Sequence, residues 1–312
     1  MRRPTHRIGW ALAFVSAICT AGAVAGWQWW LPEWLDSRLQ SALAPASPWG
    51  SLHHQGLALR PWGALIIQSP QLLASPWYGA WLGLPFGYSL SAHELRIDGL
   101  RLDRQLQLRA LRLQIKGLHI PETGWTVQAG GALQALLAPV TLTDAGHAAL
   151  RGDIELALTW ENDLRTAHAV LDWHAEDQGR LQAQCTLDAP QQAVRDDPRN
   201  LFMRSCELGY VDAGLARDWW QAQSRERADN HTRLRGLLAR ALAVQEGLDT
   251  PSREALLVFL SAADDGKTRS AGTLQLSLHP PRPAPLLMRP YNGWLAALQP
   301  SLRAQRSISI NR

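Results

Sequence analysis

Hydrophobicity along this chain is arranged in two ways. From Ile8 to Gly26 no residue is charged, and three arginines with no acid precede that run. About 19 residues in a helix span roughly 29 Å, close to the hydrocarbon thickness of a bilayer. From Ser51 onward the period becomes two. Leu57 and Leu59 alternate with neighbours of the other phase, as do Leu95 and Ile97, Leu100 and Leu102, Leu106 and Leu108, and Leu111, Leu113 and Ile115. Successive side chains of a strand point to opposite faces, so this pattern predicts strands that are oily on one side and wet on the other.

Residues 148–188 read as a three-strand meander. Leu150, Ile154, Leu156, Leu158 and Trp160 form one face of its first strand; Ala167, Ala169, Leu171 and Trp173 form the matching face of its second. Turns at Glu161-Asn162-Asp163 and Asp177-Gln178-Gly179 separate the strands. A polar insertion, Gln191 to Asn200, precedes a strand from Leu201 to Val211. The period then switches to a helical one. Leu234, Leu237, Leu238, Ala241 and Leu242 make a stripe with i, i+3, i+4 spacing, and Thr250-Pro251-Ser252 opens a further helix. Thr273 to Leu278 is expected as the final strand, before a proline-rich exit at Pro280–Pro285.

These elements predict a mainly β protein with some α: an N-terminal transmembrane helix, a curved antiparallel sheet, a helical segment near the C-terminus and a last strand. The expected division is a cytoplasmic stub and anchor over 1–30, a short helix and linker over 31–50, a β-rich domain over 51–212, helices and the closing strand over 213–290, and a tail over 291–312.

Composition sharpens the N-terminal reading. The chain has 15 Trp against 4 Tyr and 4 Phe, and Trp27, Trp29, Trp30 and Trp34 follow the apolar run directly. Tryptophans gather at membrane–water interfaces, and positive flanks stay inside, so the body is expected outside the cytoplasm, in the periplasm, on an inner-membrane single-pass anchor. A cleaved signal peptide is the alternative, since Ala23-Val24-Ala25 is an acceptable cleavage site. The net charge of +4 comes without Lys/Arg blocks interleaved with aromatics, which argues against nucleic acid as a partner. Cys185 and Cys206 fall on the apolar faces of two candidate strands. In an oxidising compartment they can pair, the alternative being two buried free thiols.

The phrases Gln55-Gly56-Leu57-Ala58-Leu59, Leu95-Arg-Ile-Asp-Gly-Leu100 and Ile115-Lys-Gly-Leu-His-Ile120 resemble those of the AsmA-like bacterial envelope proteins. The resemblance implies a curved sheet with an apolar groove used for lipid handling or outer-membrane biogenesis, with the membrane and phospholipid or another envelope lipid as partners. It carries no catalytic residue. The groove lining expected here is Leu106, Leu108, Leu111, Leu113, Ile154, Leu156, Leu158, Leu171 and Trp173.

No GxSxG, HExxH, GxxxxGK[ST] or GxGxxG occurs. His53-His54 stand on adjacent positions that face opposite ways in a strand, His168 and His174 lie on a polar face with Asp172 between them, and Asp264-Asp265 read as a turn before Gly266. No catalytic residue, metal site or cofactor is assigned, and the protein is not expected to be an enzyme. Two functions follow: lipid binding or transport in envelope biogenesis, or a non-catalytic adaptor holding envelope or secretion proteins through the Trp-rich stretch 76–88.

Overall fold

The computed structural model describes residues 36–37, 40, 50–60, 63–75, 88–105, 107–121, 143–196, 200–226, 231–244, 248–262, 272–285 and 300–305. The expected membrane segment, its tryptophans Trp27, Trp29, Trp30 and Trp34, Leu106, most of the Trp-rich stretch and Asp264-Asp265 lie outside them. No described helix is long and apolar enough to cross a membrane.

The strands are β1 (Gly50–His53), β2 (Gly56–Leu59), β3 (Leu65–Gln68), β4 (Gln71–Ala74), β5 (Ser89–Ser91), β6 (Glu94–Leu102), β7 (Leu108–Pro121), β8 (Ala149–Trp160), β9 (Thr166–Ala175), β10 (Gly179–Asp188), β11 (Phe202–Asp212), β12 (Thr273–Leu278), β13 (Ala284–Pro285) and β14 (Pro300–Gln305). The helices are α1 (Gln191–Asp196), α2 (Leu215–Glu226), α3 (His231–Ala243) and α4 (Thr250–Ala262). Every strand pairing is antiparallel, and all the strands belong to one open sheet.

The sheet is simpler than its segments. β1 and β2, β3 and β4, and β5 and β6 are each one strand path interrupted near its middle. Backbone bonds carry the ladder through the breaks: Gln55 N to Gln68 O at 3.0 Å, Ser69 N to His93 O at 2.9 Å, Ala92 N to Pro70 O at 3.0 Å and His93 N to Lys116 O at 2.9 Å. The long strand β7 crosses the same line at Gly117, where its register with β8 shifts between Ile115 and Leu118. Gly117 has φ +60°, and a Cβ there would stand 2.3 Å from His93 Nδ1, so glycine is required on both counts. With the breaks joined, the order is β1/β2, β4/β3, β5/β6, β7, β8, β9, β10, β11, β12, β14: a meander in which each strand lies beside its predecessor, with β13 a short addition to the end of β11.

The break line explains a feature of the sequence. Leu52 and Leu57, Ile67 and Leu72, Leu90 and Leu95, and Ile115 and Ile120 are each five residues apart. In an unbroken strand that spacing would put the two on opposite faces. β8 runs through without a break, and Leu150 and Ile154 share its phase; they pair with Ile120 and Ile115. Each bulge therefore restores the apolar phase on its far side.

Helices α2, α3 and α4 form in the connection from β11 to β12. In α2 the Asp212 carboxylate accepts the Ala216 N–H at 3.0 Å in the first turn; Asp249 caps α4 by accepting the Ser252 N–H at 2.9 Å. Their apolar stripes meet: Trp220, Leu234, Leu238 and Leu242 are almost wholly buried, against Leu274, Leu276 and Leu302 of the sheet. Each such side chain stabilises by about 1.5–3 kcal/mol relative to exposure.

The sequence reading is corrected in two places. The strand at Thr273–Leu278 is not the last, because Pro300–Gln305, assigned to a tail frayed from Ala304, pairs with it from end to end. The polar insertion after β10 contains the short helix α1, whose Val194 packs on the core beneath it.

Candidate functional site

The antiparallel registers align the apolar residues into rows that cross the sheet. One row runs Leu57, Ile67, Leu95, Ile115, Ile154, Trp173, Leu181, Tyr210, Leu274, Ala304. The next runs Leu59, Leu65, Ile97, Leu113, Leu156, Leu171, Ala183, Leu208, Leu276, Leu302. A third joins Leu111, Leu158, Ala169, Cys185, Cys206 and Leu278. No local rule produces this. It requires that every hairpin turn and bulge set the register by the right number of residues.

The two ends of these rows differ in cover. Toward β14, α2, α3 and α4 pack on Leu274, Leu276, Leu302, Tyr210 and Ala304. In the middle, Ala167, Ala183, Leu187, Met203, Cys206 and Leu278 form a buried cluster joined by Val194 and Leu201. Cys185 and Cys206 stand directly opposite one another in this cluster, their Cα atoms 4.0 Å apart, and form a disulfide. Toward β6, β7 and β8 the same rows continue through Leu95, Ile97, Leu111, Leu113, Ile115, Ile154, Leu156 and Leu158, all half-buried and in none of the buried clusters.

Of the expected groove residues, Leu111, Leu113, Ile154, Leu156, Leu158, Leu171 and Trp173 are brought together on this one face. Leu171 also touches the central cluster. The Trp173 indole N–H is buried without a hydrogen-bond partner. Leu108 pairs with Leu102 at the end of the β6–β7 hairpin, beyond a register shift that separates it from Leu111. Sequence reasoning missed Leu95, Ile97, Ile115 and Leu181 as members of the same surface; their period-two phase was visible, but the register that joins them was not.

The opposite face is polar. Across β7 to β10 an open depression of about 390 Å³ is lined by Gln114, Lys116, Asp153, Glu155, Asp172, His174 and Arg180, together with Ile115 and Ile154. Its acids are already engaged: Arg112 pairs with Glu155, Asp153 Oδ1 accepts the Gly117 N–H at 2.8 Å, and Asp172 accepts from Arg180 and, at 3.2 Å, from Gln182. The hydrogen bond from Arg180 holds the Asp172 carboxyl below its ordinary value. His168 and His174 lie on this face, His168 bonded to Glu161 at 2.8 Å. His53 is within 3.1 Å of Ser51 Oγ, and His54 is bonded to Asp36 at 3.0 Å, so the two adjacent histidines reach different partners. Among the described residues no three His, Cys, Asp or Glu side chains are placed to hold a metal ion.

A polar seam joins the sheet to α2. The Gln178 amide donates to Ala149 O at 3.0 Å and lies 3.4 Å from His147 Nδ1, while His147 Nε2 lies 3.3 Å from Asp218. The Tyr210 hydroxyl donates to Gln178 O at 2.6 Å. Burial, with Asp212 beside it, pushes the Tyr210 phenol well above its ordinary value, so it stays protonated as a donor. These groups pin the helices to the β9–β10 turn, and each has a structural partner. Among the described residues, no helix packs on the β6–β8 part of the apolar face. A comparison of the chain with protein-family models and with curated proteins finds no match to either.

Proposed function

We propose that the open half of the apolar face, over β6 to β9, holds the acyl chains of an envelope lipid, in a protein anchored to the inner membrane by the apolar run at residues 8–26 with its body in the periplasm. One observation carries this reading: rows of leucine and isoleucine that lie under helices at one end of the sheet continue in register onto strands where, among the described residues, no helix packs on them. A sheet face of this kind is stable only when something apolar lies on it. From β6 to β9 the rows extend about 14 Å at the usual strand spacing. Each methylene of a lipid tail laid along them gains about 0.8 kcal/mol.

The Cys185–Cys206 disulfide supports the compartment, since such bonds persist in oxidising surroundings and not in a reducing cytosol. The reading is not enzymatic and assigns no catalytic residue.

The test is mass spectrometry of lipids co-purifying with the full-length protein in a mild detergent. Stoichiometric phospholipid or another acyl lipid is expected, and it should fall when Leu113 and Leu156 are both replaced by Asn. Folded preparations that are repeatedly free of lipid would overturn the proposal. Crosslinks from this face to other proteins, in place of lipids, would favour the adaptor function.

A further inference from the structure

The β6–β7 hairpin ends in a tip that differs from the other strand connections described. Leu100 and Leu102 are 56% and 49% exposed, two of the six large hydrophobic side chains most open to solvent. They stand next to Arg101 and Arg104, which are also exposed.

Isolated exposed leucines are ordinary. The charges around these two are not. Every acid on the hairpin is matched within it. Glu94 faces Lys116 at 3.9 Å, Asp98 pairs with Arg96 at 2.9 Å, and Asp103 pairs with Arg109 at 2.9 Å while accepting the Gln105 and Gln107 N–H groups. In the neighbouring β8–β9 turn Glu161 bonds His168, and Asp163 accepts from Arg165 N and Thr166 N. Arg101 and Arg104 are what is left over, a positive pair flanking two leucines.

Asp103 closes the turn, and Arg109 reaches across to Glu161 O at 2.8 Å. The tip adjoins the apolar face, because Gly99 and Leu100 together stand opposite Leu111 across a bulge. Guanidinium groups pair with phosphates, and leucines beside them enter the acyl boundary; together they fit an anionic bilayer surface better than a protein groove.

We propose that the β6–β7 tip docks on the surface of a membrane rich in anionic phospholipid, Arg101 and Arg104 meeting headgroup phosphates and Leu100 and Leu102 entering the interface. This contact goes beyond the lipid-holding role of the face and does not require it.

The full-length protein, kept in phosphatidylcholine nanodiscs and fixed to beads by a C-terminal tag, is offered fluorescent vesicles of phosphatidylcholine with or without phosphatidylglycerol. Vesicles containing phosphatidylglycerol should be retained selectively, and less so as salt rises. Each arginine near such a surface contributes about 1 kcal/mol, so removing both (R101Q/R104Q) should weaken retention roughly thirtyfold. L100S/L102S should weaken it with the salt dependence kept. The control R235E/R240E, on exposed positions of α3, should retain vesicles like the parent. Equal retention of neutral vesicles, or an equal loss in the α3 control, would overturn the proposal. Circular dichroism of each variant confirms that the sheet is intact. Lipid co-purification measured on R101Q/R104Q separates this idea from the previous one, since it should be unchanged.

Discussion

The β10–β14 half of the sheet and its β6–β9 part are built from the same alternation and joined by the same rows. Leu276 and Leu302 at one end, and Leu113 and Leu156 at the other, occupy one row. The first pair lies under three helices whose central side chains, Trp220, Leu234 and Leu238, are out of contact with water. Leu276 is half-buried like the second pair; what differs is that, among the described residues, no helix packs on Leu113 and Leu156. Alternation therefore states that a face is apolar, and says nothing of what rests on it. The difference comes from one long connection, β11 to β12, that carries helices.

The largest test of this contrast is at the covered end. Trp220→Ala should cost about 3–5 kcal/mol in chemical denaturation, the range for emptying a fully packed aromatic site. Next is the link at the boundary. Replacing Cys185 and Cys206 together by Ala opens a loop between positions 21 residues apart and should lower stability by about 3 kcal/mol; a reductant should have no effect on that variant. At the open end, Leu156→Ala should cost below about 1.5 kcal/mol in delipidated protein, because less surface returns to water there. A cost as large as that of Trp220→Ala would show that the face is closed core, and would remove the ground for lipid binding.

The smallest effects are those of pH, and they differ in sign. Asp103, Asp163, Asp172 and Asp249 sit below their ordinary value of 3.8, held mainly by hydrogen bonds from Gln107 N, Arg165 N, the Arg180 guanidinium and the Ser252 side chain respectively. A lowered carboxyl stabilises the fold above its unfolded value, and that contribution is lost as pH falls through the folded one. Stability should therefore decline below about pH 4 by small steps, since these groups are near solvent. Tyr210 acts in the other direction: its raised phenol favours the fold fully below the ordinary 10.0 and loses that contribution as pH rises beyond it. Tyr210→Phe should remove the alkaline component alone, read from denaturation midpoints between neutral pH and pH values above 10.

Much of the fold was legible because each signal was local. The turns at Asn162 and Gly179 fixed the β8–β10 meander, the Leu234–Leu242 stripe announced α3, and Pro251 marked the start of α4. β14 was not legible. Only Leu302 marks its apolar phase, and what holds it is distant: Leu302 N donates to Ser252 Oγ at 2.8 Å, fifty residues away. The five-residue spacings across the break line were present in the sequence, but a bulge restores phase only when the neighbouring strands break at the same level. For the candidate site, the alternation from Leu111 onward was visible, while the registers that bring those residues onto one face are disclosed by no single strand.

What the sequence determined alone is the alternation itself: which side chains are apolar, at what period, and where turns and caps permit the chain to reverse. Those depend on neighbours a few positions apart. The tertiary structure decided which phases join into continuous rows, that the sulfurs of Cys185 and Cys206 meet, and that helices cover one end of the rows. Those outcomes depend on backbone registers summed over ten strand paths and on the packing of a long insertion, and a period of two is blind to both.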